Sequence, residues 1–148
     1  LGLLLGEGAD AGTVAAVEKS VTDAGGMVEV IAIAVGGTTL SDGRRIPADQ
    51  AIAGAPSVLY DAVAIIAGDA GGAALADEPA ARDFVTDAFT HFKVIGLGGA
   101  TSTLVAAAGL DGKVDADDAV LTVSGADDAQ TFITRCAGPR HWDRAITA

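Results

Sequence analysis

The residues from Lys93 to Ala108 have the pattern of a nucleophile elbow. A short apolar run from Val94 to Leu97 leads into a glycine pair, Gly98 and Gly99, and then into small and apolar residues that can form a helix from about Thr101. In many α/β enzymes such a strand-turn-helix lifts one Ser or Cys above the sheet, and the following helix N-terminus offers backbone N–H groups to an oxyanion. Here the position that would attack is glycine. The stretch frames an acyl-transfer site without supplying its reactive group.

The other reactive side chains are scattered. Cys136, in Cys-Ala-Gly-Pro, follows a helical segment, not a buried strand, and Arg135 alone is weak activation, so the thiol is read as structural. Ser102 and Ser124 lack a G-x-S-x-G frame and read as helix and cap positions. His91 lies on a helix beside Phe92, and His141 lies in the tail next to Trp142; neither has clustered partners that would make a metal site. The acidic run Asp115 to Asp118 lacks the glycine and spacing of a calcium loop and reads as solvated. Gly6, Gly8 and Gly12 follow the first strand, where a dinucleotide fingerprint would sit, and Glu29 could mimic the ribose acid. Their spacing departs from that fingerprint, and Gly96, Gly98 and Thr101 lack its third glycine.

Elements that could position these residues alternate along the chain. Leu1 to Leu5 reads as a buried strand. The helix after it is capped by Asp10 or Thr13, places Val14, Val17 and Val21 at helical spacing, and stops at Gly25 and Gly26. Met27 to Val35 reads as a second strand, parallel to the first. Thr38 to Ile46 predicts a small projecting hairpin with a type I′ turn at Asp42 and Gly43, and the stretch from Pro47 to Pro56 is read as loop. Tyr60 to Ile66 is the next strand. Leu75 sits in a short helix, Pro79 opens a longer one with an apolar face of Phe84, Val85, Ala88, Phe89 and Phe92, and that helix delivers the chain to the elbow. Ala119 to Val123 is the last strand, followed by a helix from Ala126 to Ala137 with Ser124 as its cap.

This order predicts a single α/β domain over residues 1–148: a flavodoxin-like, doubly wound, mostly parallel sheet in three α/β/α layers with one extra hairpin. A content of 50% hydrophobic but only 4% aromatic residues fits a core of Ala, Val, Ile and Leu under small-residue helices. The net charge of −11 argues against nucleic acid and anionic membrane as partners. Two small basic spots, Arg44 with Arg45 and Arg135 with Arg140 and Arg144, are read as solvated or paired with carboxylates. No apolar run approaches the roughly 18–20 residues of a membrane span, and no signal peptide is visible, so a soluble chain is expected. One cysteine excludes an internal disulfide and fits a reducing, cytoplasmic setting. The start inside a strand at Leu1, without methionine, fits a segment of a longer polypeptide.

Three further stretches carry a resemblance. Ser41 to Asp49, Gly54 to Val63 and the ending Pro139 to Arg144 are similar to the C-terminal domain of large-subunit, haem-containing monofunctional catalases, and the similarity covers essentially the whole chain. That domain belongs to the class I glutamine amidotransferase-like superfamily, whose PfpI-type protease and glyoxalase relatives carry an elbow cysteine and a helper glutamate after the first strand. Carried over by position, the cysteine falls on Gly98, with Gly99 after it, and the acid falls at or beside Ala11, with Asp10 its neighbour. The resemblance therefore implies vacated catalytic positions, no cofactor in this domain, haem in the parent, and partners in a catalase core, the other subunits of a homo-oligomer and, for a chaperone-like role, client proteins. Tyr60, the only tyrosine, has no setting that suggests a haem ligand. The alternatives are a stand-alone PfpI-like hydrolase or glyoxalase using Cys136 or a hydroxyl, and a flavodoxin-type nucleotide-binding module.

Overall fold

The first strand, β1 (Gly2–Leu5), is buried along its whole length, as its apolar run requires. Helix α1 (Ala11–Asp23) starts where Asp10 accepts hydrogen bonds from both the backbone N–H and the hydroxyl of Thr13, each at 2.8 Å. The computed structural model describes residues 1–147. Strand β2 spans only Glu29–Ala32, shorter than the apolar run around it. Its length is set by its partner: β1 offers pairing only from Gly2 with Glu29 to Leu4 with Ile31, and Met27 and Val35 lie exposed outside that ladder.

The hairpin forms as β3 (Thr38–Thr39) and β4 (Arg45–Ile46), but its turn is not type I′. Type I′ needs positive φ at both central residues, whereas Gly43 has φ +86 and Asp42 is not among the positive-φ residues. Leu40 accepts from the Gly43 N–H at 3.0 Å and donates to Arg44 at 2.8 Å, giving a three-residue loop with its glycine in the left-handed position. Nor does the hairpin project freely. Thr39 accepts from the Gly8 N–H at 2.8 Å, and Ser41 donates to Ala9 at 2.9 Å, so it lies against the loop after β1.

The supposed loop after the hairpin contains β5 (Gln50–Ala51), a short strand that pairs in parallel with β2, where the Asp49 carboxylate also accepts the Val30 N–H at 2.8 Å. Two 3₁₀ turns, Ile52–Gly54 and Ser57–Leu59, lead to β6 (Val63–Ala67). There follow α2 (Asp69–Asp77), α3 (Pro79–Thr90), β7 (Ile95–Gly99), α4 (Ser102–Ala107), β8 (Val120–Thr122), α5 (Gly125–Cys136) and a terminal turn, α6 (Arg144–Thr147). Ser124 stands at the cap position of α5 without using its side chain; its N–H is taken instead by Asp128 Oδ2 at 2.9 Å.

The main sheet runs β5-β2-β1-β6-β7-β8, all parallel. Without the short edge strand this is the flavodoxin-like order, with the switch point between β1 and β6. Side chains alternate between two cores. Leu3, Leu5, Ala64 and Ile66 pack under α1 and α5, while Leu4, Val63, Ile65 and Ala67 pack under α2, α3 and α4. The result is three layers, and among the described residues no helix is long and apolar enough to cross a membrane.

Phe132 of α5 is fully buried against β7, where a Cβ at Gly96 would lie 3.1 Å from its ring. Phe132→Ala is therefore expected to cost about 3–5 kcal/mol. Urea unfolding checks this as a lower midpoint with an unchanged slope.

Candidate functional site at the glycine elbow

The elbow is built by β7 running beside β6, with Ile66 opposite Gly98 and Ala67 opposite Gly99. The left-handed backbone falls on Gly99, at φ +73; Gly98 is the buried residue before it. Neither position has room for a side chain. A Cβ at Gly99 would lie 2.2 Å from the Ala67 carbonyl oxygen, and one at Gly98 would lie 2.8 Å from the Val123 carbonyl oxygen and 3.2 Å from the Ile66 side chain. The pairing continues one residue further, with the Ala100 N–H donating to that same Ala67 oxygen at 2.8 Å. Helix α2 closes in from the side. A Cβ on its Gly72 would meet the Ala100 oxygen at 1.9 Å.

Above the elbow, at the switch point, lies an open depression of about 600 Å³ lined by Gly8, Asp10, Ala67, Gly68, Asp69, Gly99 and Ala100. Asp10 and Gly99 are thus brought to one rim, while Ala11 faces a separate groove between α1 and the hairpin and donates its N–H to Ser41 Oγ at 2.9 Å. The Asp10 carboxyl is held below its usual range by the Thr13 hydroxyl first and the Thr13 N–H second, so it is committed to capping and is a poor general base. Helix α4, at six residues, is too short to supply a strong dipole. Two carboxylates around bare backbone repel anions, and no Ser, Thr or Cys lines the depression.

The remaining candidates do not converge on this depression. Cys136 ends α5, and burial pushes its thiol up to about 12, so little thiolate exists near neutrality. Ser102 is exposed at the start of α4. His91 caps the end of α3, with Nδ1 2.7 Å from the Asp87 carbonyl oxygen. Glu29 opens β2 and accepts from Gln50 Nε2 at 3.1 Å, at the end of the sheet opposite Gly6, Gly8 and Gly12. Those glycines and that acid therefore cannot share one dinucleotide.

One cluster was hidden from sequence inspection. Asp117 is not a solvated loop residue: it is buried and receives Arg144 Nε on one carboxylate oxygen and Arg144 Nη2 on the other, the latter at 3.1 Å. Arg144, 2% exposed, also donates to the carbonyls of Phe89 at 2.8 Å and Lys93 at 3.1 Å, and stacks over the Phe89 ring. His141 does have clustered partners, with Nε2 3.1 Å from Asp118 and 3.7 Å from Asp117. Its Nδ1 lies 3.1 Å from Arg135 Nη2, a donor with no acceptor capacity, so the ring hydrogen sits on Nε2 and faces the carboxylates. That leaves no lone pair there for a cation, and Arg144 already neutralises Asp117. Asp117 and Asp118 thereby clamp the C-terminal tail through Arg144 and His141.

Gly99→Cys is expected to destabilise the protein by about 2 kcal/mol or more, from the left-handed backbone and the clash with Ala67, without creating a fast-reacting thiol; thermal unfolding and thiol titration of the variant check both halves. Burial pushes the Asp117 carboxyl up, but the Arg144 and Ala119 hydrogen bonds and the Arg144 charge outweigh it and hold its pKa below the ordinary 3.8. The clamp's contribution is thus fully present above that value and lost as pH falls through the lower folded pKa. Trp142 fluorescence should report the tail's release only in that acid range, and Arg144→Ala should cost about 3–5 kcal/mol at neutral pH by leaving Asp117 buried and unpaired.

Comparison with known proteins places these features in a family. The model of the C-terminal domain found in long catalases matches residues 1–146. Catalase C of Rhizobium meliloti (strain 1021) is 40% identical over 144 residues, covering 97% of this chain and 20% of that protein. Catalase HPII of Mycobacterium avium is 35% identical over 137 residues, covering 84% of this chain and 19% of that protein. The chain thus spans about a fifth of the length of these relatives. Among solved structures, a DJ-1 superfamily protein of Salmonella typhimurium superposes with a TM-score of 0.74 at 20% identity, covering 92% of this chain and 88% of that one, which supports the PfpI-like fold. With residues 1–146 matched by that model, the chain belongs to the family of C-terminal domains of long catalases.

Proposed function

We propose that this chain is a non-catalytic accessory domain of a long catalase and contributes to the assembly and stability of the whole enzyme. The observation that carries this is steric. Both elbow glycines lie so close to neighbouring carbonyl oxygens that neither can bear a nucleophile on this backbone, and Asp10, beside the vacated helper-acid position, is committed to a helix cap. A stand-alone hydrolase using Cys136 is not favoured by a thiol pushed up to about 12.

Peroxide disproportionation and haem, on this proposal, belong to the polypeptide outside the domain. The side chains here do not fit a haem. The ring of Tyr60 is packed near Phe84, and burial first, with the Glu29 carboxylate second, pushes its hydroxyl pKa up from 10, opposite to the tyrosinate that iron would require. His141 is held between Arg135 and Asp118, and His91 is exposed at the end of α3. A folded domain with two cores and a clamped tail can instead restrain the larger chain by docking on it.

Deleting the domain from the parent enzyme is expected to shorten its half-life on heating several-fold while leaving the haem absorbance and the peroxide turnover at ambient temperature unchanged. Equal half-lives of the truncated and whole enzymes would contradict a stabilising role.

A further inference from the structure

The end of the sheet where strands begin carries exposed apolar surface that solvent alone does not explain. Met27 (84% exposed) precedes β2, Val58 (64%) and Leu59 (62%) precede β6, and Trp142 (59%) stacks on Phe92, just before β7, with ring centroids 5.3 Å apart. Two depressions adjoin there and share Asp61. One, of about 510 Å³, is lined in part by Leu1, Met27, Leu59 and Tyr60. The other, of about 260 Å³, is lined in part by Val94, Cys136, Pro139 and Arg140.

The segment that bears Val58 and Leu59 is held rigidly from below. Lys93, 1% exposed, sends its ammonium to the carbonyl oxygens of Ser57 and Tyr60, the two residues flanking the exposed pair. Surface apolar groups normally occur singly. Here two sit on a turn pinned from below, the arrangement of a preorganised contact.

Leu1 opens into the same depression, and its nitrogen donates to the Met27 carbonyl at 2.7 Å. In long catalases this domain is C-terminal, and the matched relatives are about five times its length, so their remaining polypeptide joins at the Leu1 end. Resting on the accessory-domain proposal above, we infer that the strand-start end of the sheet, centred on Met27, Val58 and Leu59, is the face that docks on the catalase polypeptide preceding the domain. A chain tethered at the edge of this patch meets it at high effective concentration, which favours that occupant over a second copy of the domain.

The test uses the full-length long catalase carrying this domain, with Met27→Glu and Leu59→Glu combined, and Val35→Glu as a control at the opposite end of the sheet. Limited proteolysis should release the domain about tenfold faster from the double variant than from the unmodified enzyme, with the control close to the unmodified rate. Equal release from the double variant and the control would overturn the inference. A changed subunit count by native mass without faster release would overturn it in favour of contact between two copies. Persistence of the released fragment under protease shows that it is folded. Should the glutamates unfold the domain, Met27→Ser with Leu59→Ser gives the same comparison with milder changes. Release reports docking and heat half-life reports the accessory role, so either can fail while the other stands.

Discussion

The Ala67 carbonyl oxygen is the point on which this end of the molecule depends. It accepts the Ala100 N–H at 2.8 Å, and the position of a Gly99 Cβ lies 2.2 Å from it. The end of β7 can lie this close to β6 only because Gly99 has no side chain, and the left-handed backbone there turns the chain toward α4. From that approach follow the shallow depression at the switch point and the room for α2 to press Gly72 onto Ala100. Where the strand-turn-helix elbow of many α/β enzymes holds a reactive group over the sheet, this chain has main chain.

The two ends of the parallel sheet consequently divide the labour. At the strand-finish end, where open α/β sheets bind ligands, the switch-point depression presents carboxylates and main chain. The strand-start end presents apolar side chains on a turn anchored by a buried lysine. A third feature holds the far side. Arg144 reaches back to Asp117, Phe89 and Lys93, so the tail is part of the folded unit, and Lys93 joins the two regions by anchoring the turn through its ammonium and receiving Arg144 on its carbonyl.

Much of this was legible in the residue pattern for a physical reason. Strands buried on both faces read as short apolar runs, so β1, β6 and β7 declared themselves through Leu3 to Leu5, Val63 to Ile66 and Ile95 to Leu97. The glycine pair marked the elbow, and the family's stretches placed the chain. What did not show depended on partners distant in sequence. β5 is strand only because β2 lies beside it, and β2 is short only because β1 is. Asp42 with Gly43 suits two kinds of loop, and the pairing with Arg44 selects the longer one. Asp117 looked like one acid of a solvated run because Arg144, its partner, lies 27 residues away. No local signal marks such a pair.

The central claim is that this chain works as part of a larger haem enzyme. The most direct measurement is the intact mass and visible absorbance of the native polypeptide, captured from its source with an antibody to this segment. The account predicts a subunit about five times the 14.5 kDa of this chain, in line with the 20% of Catalase C that it spans, and a Soret band from haem held outside the domain. A colourless protein near 14.5 kDa would contradict it.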